Sequence, residues 1–134
     1  MKEELKGRQD RIRSAMVAQG IDAAIITGNV NLIYTCGQVI SGYLYLPVKG
    51  ESVLFVKRPN DMTGDNLHFI RKPEQIADIL RQNGIEMPGR LMLEGDELSY
   101  QDYCRLAGCF PDCEILPCGT MVLHQVRNIK SDYE

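Results

Sequence analysis

Cysteines, acids and histidines are the residues of this 134-residue chain whose types could do chemistry. Cys104, Cys109, Cys113 and Cys118 stand as C-x4-C-x3-C-x4-C, a run that invites a metal reading. Zinc sites usually draw ligands from paired knuckles such as C-x2-C, and this spacing is not one. Cys36 brings the count to five, and an odd count in a chain without an export signal argues for reduced thiols. Cys104 is expected on a helix and Cys118 beyond a strand, so the expectation is buried or half-buried free thiols acting as small hydrophobes. Glu94, Asp96 and Glu97 precede Ser99, where they would favour the positive end of the following helix by up to about 1 kcal/mol. A cation site would need more converging oxygens than this run supplies. His68 and His124 are isolated from any acid or thiol at a diagnostic spacing, and His124 reads as a packed or half-exposed side chain. Gly28, Gly37 and Gly42 do not make a phosphate loop, since neither G-x-G-x-x-G nor G-K-[ST] occurs. No G-x-S-x-G nucleophile elbow is present either. No catalytic set emerges.

The stretch that organises the chain is Ile21–Gly37, IDAAIITGNVNLIYTCG. Ala23, Ala24, Ile25 and Ile26 form an apolar run short enough for a strand covered on both faces. Gly28 permits a tight turn, and Asn29 or Asn31 is placed to cap the next helical turn through a side-chain oxygen. Leu32 and Ile33 supply that turn with apolar material, and Cys36-Gly37 ends it. A polar loop leaving the carboxyl end of a buried strand is where α/β sheets usually place ligand contacts. The alternative is a buried connector with satisfied caps.

The elements around it follow from periodicity. Lys2 to Gln19 reads as a helix with Leu5, Ile12, Ala15 and Met16 on one face and Gly20 as its stop. Tyr43–Pro47 and Ser52–Val56 are β-rich runs joined by a four-residue turn, Val48 to Glu51, which suits a hairpin. Lys57–Asn66 is a polar loop or broken helical turn, His68–Ile70 a brief strand. Pro73 suits a first helical position, with Ile76, Ile79 and Leu80 in one stripe before Gly84. Arg90–Leu93 is a buried strand, Ser99 opens another helix, Glu114–Leu116 is a last strand and Met121–Arg127 a last helix. The order predicts an α/β domain with a mixed sheet of about five to six strands and helices on both faces.

Composition bounds the class. The chain is 44% hydrophobic and 25% charged, an ordinary globular balance. A net charge of -3 gives no electrostatic footprint for nucleic acid or an anionic membrane. No apolar run approaches the roughly 20 residues of a membrane span, and MKEELKGRQDRIRS lacks the apolar core of a signal peptide. The expected location is the cytoplasm. At the carboxyl end, Ser131-Asp132-Tyr133-Glu134 has the form of a capping box, a helix start with no helix after it. That points to a fragment cut at the door of a second domain, with a frayed tail as the alternative.

Read together, these pieces resemble the amino-terminal domain of the creatinase/prolidase family, the Xaa-Pro aminopeptidases and dipeptidases. The passage from Arg11-Ile12 to GIDAAIIT is similar to the family's helix-to-first-strand passage. NLIYTCG at Asn31–Gly37 resembles its N-x-x-Y-L-T-G segment, with Asn31, Tyr34 and Gly37 matching and Thr35-Cys36 in place of the usual Leu-Thr. The likeness continues through LMLEGDELSYQDYCRL, and VRNIKSDYE is similar to the R-x-I-K-S-x-x-E junction that opens the catalytic domain. The resemblance implies a ribonuclease H-like mixed sheet over residues 1–127 and, from 128–134, the junction to a missing carboxyl-terminal "pita-bread" domain. In the peptidases that second domain holds two divalent metal ions (Mn, Co or Zn) through two Asp, one His and two Glu, and it hydrolyses proline-containing peptides. The fragment is therefore expected to be catalytically inert and to hold no metal of its own. The resemblance further implies a homodimer in which this domain overhangs the partner subunit's active site and restricts access to short substrates. Asn31 and Tyr34 are its candidate gating or binding residues, with Arg58 and Asp61 in the polar loop as rim contacts. Two other parents fit the same resemblance. One is a catalytically inactive relative that binds peptides or histones, as the similar domain in the large subunit of the FACT histone chaperone suggests. The other is a creatine-type amidinohydrolase.

Overall fold

Alternation along the strands decides how this chain layers. A computed structural model describes residues 2–37, 42–57, 67–95 and 97–128. The elements are α1 (Lys2–Ala18), β1 (Ala23–Ile26), α2 (Asn29–Cys36), β2 (Gly42–Pro47), β3 (Val53–Val56), β4 (Leu67–Phe69), α3 (Glu74–Gln82), β5 (Arg90–Leu93), α4 (Tyr100–Gly108), β6 (Glu114–Leu116) and α5 (Gly119–Asn128). Every residue of β1 is buried, as its unbroken apolar run requires. Successive side chains of a strand point to opposite faces. Ala23 and Ile25 therefore join one core, with Tyr43, Tyr45, Leu91 and Leu93 from neighbouring strands. Ala24 and Ile26 join the other, with Leu44, Leu46 and Met92. The first core is covered by α3 and α4 through Ile76, Ala77, Leu80 and Leu106, the second by α1, α2 and α5 through Ile12, Met16, Leu32, Val122, Leu123 and Val126.

The sheet has six strands in the order β4-β3-β2-β1-β5-β6. β2 runs antiparallel to both of its neighbours, while β1 with β5, β5 with β6 and β3 with β4 are parallel. Only β2 is reversed, so the other strands all present their carboxyl ends at one edge. The predicted hairpin is present, with Tyr45 opposite Val53. The mixed sheet with helices on both faces is thus the architecture expected from the sequence.

Local chemistry accounts for most boundaries. Gly37 has φ 81° and its N–H donates to the Ile33 carbonyl at 2.8 Å, closing α2 in the left-handed conformation that glycine adopts readily. Ser99 caps α4 by accepting the Asp102 N–H. Some limits differ from expectation. β4 starts at Leu67, one residue early, because it pairs with β3 from Leu54 onward. α5 begins at Gly119 rather than Met121; a Cβ there would lie 2.7 Å from the Leu93 carbonyl oxygen, so only glycine lets the helix start against the sheet. The expected capping box at 131–134 lies outside the described residues.

Candidate functional site at the carboxyl edge of the sheet

β1 and β5 are adjacent and parallel, so the residues that follow them, Thr27-Gly28 and Glu94, emerge side by side. Glu94 is fully buried. Its Oε2 accepts the Gly28 N–H at 2.6 Å, and the Thr27 N–H and hydroxyl at 3.2 Å each. Its Oε1 accepts the Asn31 amide at 2.9 Å. Burying a carboxylate is costly unless donors replace its water, and here four do. The first turn of a helix leaves N–H groups without partners and carries a positive partial charge. From the end of the adjacent strand, Glu94 takes the N–H of the N-cap Gly28 and sets a carboxylate at the amino end of α2.

This overturns two expectations. Neither Asn29 nor Asn31 is the cap: the N-cap is Gly28, which has no side-chain cap bond, and Asn31 instead donates its amide to Glu94. Nor does Glu94 serve the helix after Ser99, because its carboxylate turns back to α2, while Ser99 and the first-turn Asp102 serve α4. The role of Gly28 also changes. Its φ of -65° is open to any residue, but a Cβ would lie 2.9 Å from the Glu94 carboxylate, so close approach is what demands glycine.

The other end of α2 is tied to α1. Arg8 Nη1 donates to the Tyr34 carbonyl at 3.1 Å, and Gln9 Nε2 to the Thr35 carbonyl at 2.9 Å. The Arg8 guanidinium also lies over the Tyr34 ring, 5.0 Å from its centre, and pairs with Glu4 at 2.8 Å. Thr35, itself buried, donates its hydroxyl to the Asn31 carbonyl at 2.8 Å. The structure therefore places Asn31 in the interior and Tyr34 half-buried against α1. Arg58 and Asp61 lie outside the described residues.

Beside Glu94 the same edge holds a cleft of about 480 Å³ lined by Gly95, Leu98, Tyr100, Tyr103 and Pro117. Tyr100 is 84% exposed there. The cysteines do not assemble. Cys36, Cys109, Cys113 and Cys118 are half-buried free thiols, and Cys104 is exposed on α4, against the expectation of burial. Burial pushes the Cys36, Cys109 and Cys113 thiols up, which keeps them from the thiolate form that binds metals and attacks electrophiles. His68 stacks on Phe55 with ring centres 5.8 Å apart. Among the described residues no three or more His, Cys, Asp or Glu side chains converge as a metal site. The one buried carboxylate among the described residues, Glu94, is saturated by protein donors, so the described side chains do not fit a dimetal centre.

A six-stranded mixed sheet with one reversed strand and helices on both faces defines a three-layer α/β domain. The creatinase/prolidase N-terminal domain profile matches residues 8–129, and the chain belongs to that family. No curated protein sequence matches it. Among solved structures it is similar to an Xaa-Pro dipeptidase from Bacillus anthracis, at 20% identity and a TM-score of 0.76, over 97% of this chain and 38% of that one. It is also similar to the prolidase from Pyrococcus horikoshii OT3, at 21% identity and a TM-score of 0.72, over 96% of this chain and 37% of that one. A third likeness is to the N-terminal domain of the cytoplasmic peptidase PepQ from Mycobacterium tuberculosis H37Rv, at 18% identity and a TM-score of 0.72, over 90% and 98%. The chain spans little more than a third of the first two proteins.

Proposed function

We propose that this domain is the non-catalytic front part of an Xaa-Pro dipeptidase or aminopeptidase, contributing to its dimer and to the gating of a metallopeptidase site carried elsewhere. The family match over residues 8–129 carries this reading. The proteins of like fold are Xaa-Pro peptidases of which it spans 38% and 37%. The catalytic domain, beginning at the 128–134 junction, supplies two divalent metal ions and the hydrolysis of proline-containing peptides, in the cytoplasm. Within this reading the loop after β1 shapes the access rim. Asn31 acts by holding Glu94, so it positions the rim without touching substrate, whereas Tyr34 is half-exposed and open to contact. Arg58 and Asp61, which lie outside the described residues, are carried in this reading as further rim contacts.

The test is a peptidase assay of the purified 134-residue chain with Xaa-Pro dipeptides and added Mn2+, Co2+ or Zn2+, run beside the same chain fused to its downstream coding sequence. The expected outcome is turnover by the longer protein only, with dimers of it in sedimentation analysis. Turnover by the short chain, or a longer protein that is inactive on every Xaa-Pro substrate, would sink the reading.

A further inference from the structure

The opposite edge of the sheet, where β1 and β5 begin, carries a groove of about 390 Å³ between the β2–β3 hairpin and the segment that leads into β5. Apolar walls come from Pro47, Val48, Ile85 and Met87. Tyr45, 1% exposed, lines the groove, and no side-chain hydrogen bond engages its hydroxyl among the described residues. Beside it stands Asp22, an exposed carboxylate with half of its capacity unused. Its Oδ2 accepts the Arg90 N–H at 2.9 Å, while its Oδ1 meets no donor and no cation pairs with it among the described residues. Gly89 lets this carboxylate sit against the backbone, since a Cβ there would lie 3.1 Å from Oδ2. Glu86 adds a second acid at the mouth, against the single base Lys49.

We infer that this groove is a binding site for an aliphatic primary ammonium group, with Asp22 as its counter-ion, the Tyr45 hydroxyl as a second polar contact and the walls between Pro47 and Met87 holding an apolar stem. Of the lining side chains Asp22 and Glu86 are acids and Lys49 a base. The neighbouring Arg13 and Arg90 guanidinium groups are taken up by backbone carbonyls and Asp10 or Glu114, which leaves Asp22 Oδ1 as the acceptor for a cation. An ammonium brings three donors, which can fill Asp22 Oδ1 and the phenol oxygen together. The apolar walls exclude a bare hydrated ion and favour a ligand with a hydrocarbon body. The site lies at the far edge from Glu94 and does not depend on the function proposed above. The ammonium could come from a free amine or from the amino terminus of a peptide chain.

The test is a titration of the 15N-labelled chain with leucinamide, N-acetyl-leucinamide and the tripeptide Leu-Gly-Gly at constant ionic strength, followed by amide shifts. Leucinamide is expected to give saturable shifts at Asp22, Lys49 and Arg90, and the acetylated compound none. Asp22→Asn keeps an oxygen for the Arg90 N–H, so the fold is retained, and it should weaken binding about tenfold or more for the lost charge-assisted bond. Tyr45→Phe, which removes only the hydroxyl, should weaken it several-fold, and Asp102→Asn on α4 should leave it unchanged. Saturation by the tripeptide assigns the site to chain termini, and saturation by leucinamide alone assigns it to small amines. No saturation by either, an equal response to the acetylated compound, or full affinity in Asp22→Asn would overturn the inference.

Discussion

Glu94 matters because its neighbours leave it no other role. Four donors face its two oxygens and no water reaches it. Glu94→Gln would turn an amide N–H2 toward N–H groups and leave donors unsatisfied, costing about 2–4 kcal/mol. Urea unfolding should show the loss as a lower midpoint at unchanged slope. A second residue-scale outcome concerns Tyr45. Burial, followed by the nearby Cys113 and Asp22, pushes its phenol up from 10.0 to about 12. A raised value means that the fold favours the neutral form. That contribution is complete below pH 10 and drains away as pH rises toward about 12, at about 1.4 kcal/mol per pH unit. Stability measured across this window should fall less steeply in Tyr45→Phe, and tyrosinate absorbance should lose its latest-ionising component in that variant.

At the scale of elements, α2 is a helix of eight residues, too short to persist alone in water. It holds its place through bonds that come from other parts of the chain. Glu94, just after β5, serves its amino end, and Arg8 and Gln9, from α1, serve its carboxyl end. Arg8→Met should therefore remove a hydrogen bond and a cation–π contact together, loosening the last turn by about 1–2 kcal/mol. Hydrogen exchange would report this as faster exchange at Thr35 and Cys36 with β1 unaffected. Equal acceleration across the sheet would mean that Arg8 supports the whole fold rather than this helix end. The same logic explains Gly28, whose missing side chain is what allows the Glu94 carboxylate to reach the backbone.

At the scale of the molecule, five of the six strands point their carboxyl ends to one edge, and β2 alone returns. That arrangement separates two polar regions. The carboxyl edge holds the Glu94 cluster and the tyrosine-lined cleft, the other edge the Asp22–Tyr45 groove. Among the described residues no helix is long and apolar enough to cross a membrane. With Glu94 saturated by protein donors, the carboxyl edge uses its buried acid to hold α2 in place.

Features written in neighbouring residues could be read before any coordinates. The all-apolar AAII announced a strand covered on both sides, Ser99 announced a helix start, Gly37 a helix stop, and the residues around Val48–Glu51 a hairpin. Each depends on a contact spanning only a few residues, so composition and period suffice. Glu94 could not be read this way. Its partners lie 63 to 67 residues earlier in the chain, and nothing local distinguishes it from Glu97, which stays exposed. The one hint was a glycine in a turn whose φ did not need it, and that became visible only with the backbone in place. Cys104 likewise looked like core by residue type, yet the face of α4 it occupies points to solvent. Secondary structure follows from short-range sterics and hydrogen bonding. Which acid meets which helix end follows from the pairing of β1 with β5, a long-range choice made by burying two apolar faces at once.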